Sequence, residues 1–354
     1  MPVFSIKPFF VLGYMRSGTT LIFKILGNHP EVFTLKGEPK VIEYLSIARQ
    51  YFPDLSDDKT LWDFIGFVAN VLRFGHTLAY FGKPLEESPD FKTQDVNNIL
   101  AGLTAREYIP VFRSVQDYFA RSAGKSTWCI KAQVLEAETV LENFPDALFV
   151  EIIRDPRDVL ASKKNDRDAV WHSERYRPEQ RAEKDLYNTY DPLWDVLSWR
   201  AEIRAGRKLQ EKYPARFFSI RYEDLVAEPE IYIKKLCAFA GLSYHEAMLE
   251  INERNSSVWD KKYKGIGAES VRKWQAKLTP AEIALAQWAT KAEMQRLDYD
   301  MFPVRLGDQL KVPFVLAASL VEFLQRLVKR YRLGGWAYLW NVLSLYWKKW
   351  SKAR

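Results

Sequence analysis

Short runs that are almost wholly apolar alternate along the chain with longer stretches in which apolar positions recur every three or four residues. The first pattern suits strands buried on both faces and the second suits amphipathic helices, so their alternation predicts a parallel sheet flanked by helices. Strands are expected at Phe9 to Gly13, Thr127 to Lys131, Ala147 to Ile153 and Arg216 to Arg221. Helical patterns follow at Thr19 to Gly27, Val134 to Asn143, Asp158 to Lys164 and Glu230 to Phe239. Another helix should start at Thr279-Pro280, where Thr279 suits the N-cap and Pro280 the first helical position. Two long helix-rich insertions, 51–126 and 165–215, separate strands; in open α/β sheets such insertions usually cover the carboxyl ends of the strands, where ligands bind.

Composition narrows the class. Of 354 residues, 47% are hydrophobic and 27% charged, ordinary globular values that exclude disordered and low-complexity classes. The net charge of +7 is unevenly placed. Arg305 to Arg354 holds ten basic residues and two acidic ones, Asp308 and Glu322, which gives this stretch +8 and leaves the first 304 residues at −1. A uniformly basic nucleic-acid binder is thereby excluded. Cys129 and Cys237 are too few for a disulfide framework and neither has a partner at metal-ligand spacing, so reduced thiols, a cytoplasmic setting and no metal are expected. The run Phe9-Phe10-Val11-Leu12 is too short for a signal peptide and leads directly into a glycine loop, which marks it as the first strand.

That loop carries the clearest chemistry. Gly13-Tyr14-Met15-Arg16-Ser17-Gly18-Thr19-Thr20-Leu21 joins a buried strand to a helix start, where consecutive N–H groups and the helix dipole cradle an anion. The spacing approaches G-x-x-x-x-G-K-[ST], but Thr19 stands where the lysine of a nucleoside triphosphatase belongs, and Arg16 supplies the cation instead. A second site follows the strand ending at Ile153: Arg154 lies at the strand's carboxyl end, Pro156 turns the chain, and Ser162 comes eight residues later. An arginine fork with a hydroxyl grips a phosphate dianion. The neighbouring Arg157 and Asp158 are expected to form a surface salt-bridge cluster.

With these two loops the sequence resembles the sulfotransferase family that uses 3′-phosphoadenosine 5′-phosphosulfate (PAPS), in its bacterial and Golgi-type branches. Asn28-His29-Pro30, Arg221-Tyr222-Glu223-Asp224-Leu225, Phe239-Ala240-Gly241-Leu242 and Ser270-Val271-Arg272-Lys273-Trp274 extend the resemblance over roughly the first 300 residues. It implies a P-loop-NTPase-like α/β fold with a parallel β-sheet flanked by helices. It implies that Arg16, Ser17, Gly18, Thr19, Thr20 and Leu21 hold the 5′-phosphosulfate end of the donor, with Leu21 where many cytosolic members have a tryptophan on the adenine. Arg154 and Ser162 would bind the 3′-phosphate, Tyr222 would lie near the nucleotide, and Ser270, Arg272 and Lys273 would close over it. The resemblance also places Lys131 as a second catalytic cation beside Arg16, and Glu38, in Lys36-Gly37-Glu38-Pro39, as the general base; capping of the following helix is the competing role for Glu38. His76 and His172, in the insertions, are candidates to touch the acceptor, whereas His29 would pack a helix end.

Beyond Pro303 the pattern changes. Leu316, Leu320, Phe323, Leu327 and Tyr331 recur at helical spacing with Glu322, Arg326, Lys329 and Arg330 on the other side; Gly334-Gly335 is expected to break the helix before a Trp-rich basic segment, so that the two form a hairpin. This divides the chain into a sulfotransferase domain, 1–304, and an amphipathic helical extension, 305–354. Tryptophan-rich faces beside Lys and Arg suit the membrane interface, so residues 311–354 are expected to hold the protein at the inner face of a membrane, near a hydroxylated and possibly lipid-linked acceptor. The alternatives left open are packing of the extension on the body or on a second subunit, a nucleotide-dependent kinase-like phosphotransferase, and a catalytically silent membrane adaptor.

Overall fold

A computed structural model describes residues 7–34, 48–74, 92–172, 190–251 and 265–353. Five strands, β1 (Phe9–Leu12), β2 (Val32–Thr34), β3 (Thr127–Lys131), β4 (Leu148–Ile153) and β5 (Phe217–Arg221), form one parallel sheet in the order β2-β3-β1-β4-β5. Among the described residues the helices are α1 (Thr19–Gly27), α2 (Asp58–Phe74), α3 (Thr93–Gly102), α4 (Tyr108–Ser122), α5 (Ala137–Asn143), α6 (Pro156–His172), α7 (Pro192–Lys212), α8 (Tyr222–Ala227), α9 (Pro229–Ala240), α10 (Trp274–Lys277), α11 (Pro280–Arg296), α12 (Leu306–Gln309) and α13 (Val312–Ala353). The expected parallel α/β architecture is present. β2 is an addition that the apolar pattern did not signal, a three-residue edge strand paired with β3 from Val32↔Thr127 to Thr34↔Cys129.

β1 is buried along its whole length because both faces are covered. On one side Phe10, Trp128, Phe144 and Phe149 pack with Phe64 and Phe112 of α2 and α4; on the other Phe9, Val11 and Ile152 pack with Ile22, Ile25, Ile233 and Leu236 of α1 and α9. Phe64, Phe67, Phe112 and Phe119 of the first insertion therefore build core on a sheet face, and its described helices do not line the cavity at the carboxyl ends of the strands. β1 lies between β3 and β4, so the chain leaves it toward opposite edges, and a crevice opens at its carboxyl end.

Two sequence expectations are corrected. Arg157 and Asp158 are buried, at 3% and 1% exposure, rather than a surface cluster. Each has partners distant in sequence: Arg157 bonds Asp155 and Gln287 and stacks on Trp274, while Asp158 accepts the N–H groups of Arg272 and Trp274. Gly334-Gly335 does not break the last helix, and α13 runs on as one element where a hairpin was expected. Each interior glycine costs a helix only about 1 kcal/mol, less than the regular hydrogen bonding on either side restores.

β4 carries one polar residue, Glu151, 2% exposed, in contact with α7 where a Cβ on Gly206 would lie 2.1 Å from its Oε1. Burial pushes the Glu151 carboxyl up to about 7; the hydroxyl of Ser219, donating at 2.8 Å, offsets part of this, and the nearby Glu202 adds to it. The folded pKa lies above the unfolded one, so the contribution to stability is complete below about pH 4.5 and is lost as pH rises through 7. Glu151→Gln should remove this loss: between pH 5 and pH 8 the wild type should lose about 1–3 kcal/mol more than the variant in urea unfolding.

Candidate functional site

The loop after β1 and the turn after β4 open into a cavity of about 450 Å³ lined by Arg16, Gly18, Thr20, Leu21, Arg154, Ser162, Tyr222, Ser270 and Lys273, all read from the sequence as donor-binding. Residues far apart in sequence meet there: Arg16 Nε donates to Ser162 Oγ, 146 positions later, at 3.2 Å. α1 begins at Gly18, in the left-handed region at φ 107°, where a Cβ would lie 2.7 Å from the Tyr222 ring. No side chain caps this helix start and no acidic residue stands in its first turn, so its N–H groups and dipole are presented to an anion. Arg16 also takes a left-handed backbone, at φ 69°, a conformation that costs a non-glycine residue about 1 kcal/mol and clusters at ligand sites.

Arg154 joins the two halves. Its Nη1 donates to the Arg16 carbonyl at 2.9 Å, its Nη2 to the Ser270 carbonyl at 2.6 Å, and its guanidinium carbon lies 4.5 Å from the Tyr222 ring centroid. The Trp199 indole N–H donates to the Arg154 carbonyl at 3.0 Å and fixes its backbone. Arg154 Nε and Ser17 Oγ are buried and meet no hydrogen-bond partner among the described residues. Buried polar atoms of this kind are costly unless a ligand satisfies them, and both are suited to an anion's oxygens. The donor site thus fits a group with two separated anionic ends.

The segment Ser270 to Trp274 is held by Asp158, which accepts the Arg272 N–H at 2.7 Å and the Trp274 N–H at 3.1 Å. Burial pushes the Asp158 carboxyl up to about 6, against the pull of the Arg154 charge. Lys273 lines the cavity, whereas the Arg272 guanidinium is exposed and reaches Asp300 at 3.4 Å, so Arg272 meets the site through its backbone. Lys131, at the end of β3, donates at 2.9 Å to Oγ1 of Thr20, a cavity-lining residue, but is not itself among the lining residues. Thr19 opens α1, and its methyl group would lie 3.1 Å from a Cβ on Gly13.

Lys24, Asn165, Lys277 and Asp158 also line the cavity and were not assigned to it from the sequence. Their spacing was a usable signal. Thr20 and Lys24, Lys273 and Lys277, and Asp158, Ser162 and Asn165 each follow the i, i+4 or i, i+4, i+7 rule that puts residues on one helical face. Five cationic side chains against two carboxylates, Asp158 and Glu269, give the lining a positive balance. Glu38 and His76 lie outside the described residues; His172 ends α6, and its side chain lies outside them as well. His29 is away from the site: its Nδ1 accepts the Glu31 N–H, so Nε2 carries the proton and donates to the Ser243 carbonyl at 2.7 Å. Among the described residues no group of His, Cys, Asp or Glu is arranged to hold a metal ion.

A parallel sheet with a glycine loop after its central strand and an arginine one strand over, both opening into one cavity at the carboxyl ends of the strands, defines an α/β protein of the P-loop-like class. A family model described as the Sulfotransferase family matches residues 8–246, and the chain belongs to that family. Two proteins named omega-hydroxy-beta-dihydromenaquinone-9 sulfotransferase Stf3, from Mycobacterium bovis and Mycobacterium tuberculosis, are each 26% identical to it over 273 residues, 70% of this chain and 66% of theirs. The chain thus spans slightly less than two thirds of the length of these relatives. Among solved structures, the sulfotransferase domain from the curacin biosynthetic pathway is 18% identical, with a TM-score of 0.49, over 84% of this chain and 99% of that one. A mouse sulfotransferase complexed with PAP is 12% identical, with a TM-score of 0.41, over 82% and 85%.

The clamp on the 270–274 segment is directly testable. Asp158→Ala removes the acceptor of two amides, so protection of the Arg272 and Trp274 N–H groups from hydrogen exchange should fall about tenfold or more, while amides of β1 and β4 keep theirs.

Proposed function

We propose that the protein transfers a sulfuryl group from PAPS to the hydroxyl of an amphiphilic acceptor by in-line displacement. The observation that carries this reading is the pair of buried donors without a partner among the described residues, Ser17 Oγ in the loop after β1, between the cavity-lining Arg16 and Gly18, and Arg154 Nε at the end of β4, itself a lining residue of the same positively lined cavity. Two anionic ends on one nucleotide match two anion-binding positions, and the Thr19 substitution for a lysine disfavours triphosphate chemistry.

In this reading Arg16, Ser17, Gly18, Thr19 and Thr20 hold the 5′-phosphosulfate end. Arg154, Ser162, Ser270 and Lys273, with the Arg272 backbone, hold the 3′-phosphate, and Leu21 and Tyr222 flank the nucleotide. PAPS, when bound, supplies the sulfuryl group. The acceptor oxygen forms its bond to sulfur as the sulfur–oxygen bond to the 5′-phosphate breaks; Arg16 and Lys131 stabilise the charge that builds on the leaving phosphate, and Glu38 takes the acceptor's proton. The products are a sulfate ester and adenosine 3′,5′-bisphosphate.

The acceptor class draws support from the mycobacterial relatives, which are named for an omega-hydroxylated dihydromenaquinone. A glycolipid, a lipid-linked sugar or another amphiphilic alcohol fits the same chemistry, with His76 and His172 at the acceptor. Residues 305–354 form an extension that holds the protein, from the cytoplasmic side, to a membrane surface where such acceptors reside. Among the described residues no helix is long and apolar enough to cross a membrane, so this contact would be peripheral.

In calorimetric titration the wild type should bind adenosine 3′,5′-bisphosphate at least about tenfold more tightly than ADP, and Arg154→Ala should lose that preference. Equal affinity of the wild type for the two nucleotides would refute the donor assignment. Glu38→Gln should lower kcat about 10²- to 10⁴-fold with binding of the bisphosphate unchanged.

A further inference from the structure

α13 has two faces with different environments. One is spent on the body of the protein: Ser319 is buried, Phe323 stacks on Trp194 of α7 with ring centroids 5.0 Å apart, and Arg326 pairs with the Asp191 carboxylate, their side chains 12% and 2% exposed. Arg326 therefore faces inward, opposite to the arrangement expected from the sequence, and Glu322 lies half-buried on the same side. The other face carries Phe314, Val321, Leu324, Val328 and Tyr331, and Leu310, two residues before the helix starts, continues their line; each is 43% to 76% exposed. Their spacings of four, seven, three, four and three residues keep them in one stripe along the helix.

We propose that this outer stripe, rather than the stripe through Leu316, Phe323 and Leu327, is the surface that lies in the interface of an anionic lipid bilayer, with α13 parallel to the membrane plane. The inference rests on the proposed membrane contact of residues 305–354 and specifies its orientation. Three observations select lipid over a second copy of the chain. The acid of α13, Glu322, is turned toward the body, while six Lys and Arg residues besides the paired Arg326 lie along the helix; two such helices brought together would repel, whereas anionic headgroups attract them. The apolar stripe is widened by Leu320, 56% exposed, into a band broader than the narrow seam of a two-stranded coiled coil. Trp336 and Trp340, 73% and 72% exposed, add side chains that favour the headgroup level. Because Arg326 and Phe323 clamp the helix to α7, the body would have one fixed orientation on the membrane.

Cosedimentation of the full-length protein with vesicles of phosphatidylglycerol and phosphatidylcholine tests this. The wild type should bind, and Leu310→Glu/Phe314→Glu/Leu324→Glu should reduce partitioning at least tenfold while its circular dichroism and melting temperature stay at wild-type values, since these side chains are exposed. Phe323→Ala, on the docked face, should keep vesicle binding. If the triple variant binds vesicles as the wild type does, the face assignment is overturned and the membrane contact of the extension stands; if the wild type itself fails to sediment, both fall. Equal binding to purely phosphatidylcholine vesicles overturns the charge argument for lipid, and a wild-type dimer that the triple variant converts to monomer in light scattering makes a second copy the occupant.

Discussion

The guanidinium of Arg154 sits between two main-chain carbonyls, those of Arg16 and Ser270, and against the face of Tyr222. The arrangement draws together the loop after β1, the end of β4, the first turn after β5 and the segment that closes the cavity. These contacts join segments far apart in the sequence, and a single side chain, that of Arg154, makes all of them. A buried guanidinium is costly unless its donors are used and its charge is balanced. Here two of its nitrogens are used by carbonyls, the Asp158 carboxylate supplies opposite charge nearby, and Nε meets no partner among the described residues.

Behind Arg154 stands a layer of buried carboxylates, and each organises a different segment. Asp155 takes the Arg157 guanidinium, which in turn bonds Gln287 and lies 4.2 Å from the Trp274 ring centroid. Glu223 accepts the Asp155 N–H at 3.0 Å and the Tyr299 hydroxyl at 2.9 Å. Asp158 holds the amides of Arg272 and Trp274. Burial raises the pKa of both Asp158 and Glu223, so these acids are held at an electrostatic cost that the folded chain must offset through the hydrogen bonds they accept. They act as a scaffold for loops that would otherwise lack an apolar reason to order.

The sheet was legible where the pattern was strong. β1, β3, β4 and β5 are apolar runs followed by helical periodicity, whereas β2 has three residues and an edge position, too little for any period to register. Both anion loops were readable because glycine, arginine and hydroxyl residues at fixed spacing have few other uses next to a strand. Arg157 and Asp158 were misread because a charged residue is exposed by default, and partners more than 110 residues away, together with Asp155 beside Arg157, make their burial tolerable. The same default reversed the faces of α13. Arg326 reads as a solvent residue until Asp191, 135 positions earlier, is seen to neutralise it.

That pairing also makes α13 more than an appendage. Asp191 caps α7 through the Trp194 N–H at 3.1 Å, and its own N–H donates to Asp195 at 3.2 Å. Asp195 in turn binds the Lys163 ammonium and accepts the Tyr14 hydroxyl at 3.1 Å, and the Tyr14 carbonyl accepts the Ser17 N–H, also at 3.1 Å. A set of hydrogen bonds, charge-assisted as far as the Tyr14 hydroxyl and continued by the Tyr14 backbone, therefore runs from the last helix to the loop that carries Arg16 and Ser17. Bonds of this kind in a dry interior are stronger than their solvent-exposed counterparts, and removing one member leaves its neighbours buried and unsatisfied. The placement of Tyr14, and with it the curvature of the anion loop, is consequently tied to how α13 seats on α7, although α13 does not line the donor cavity.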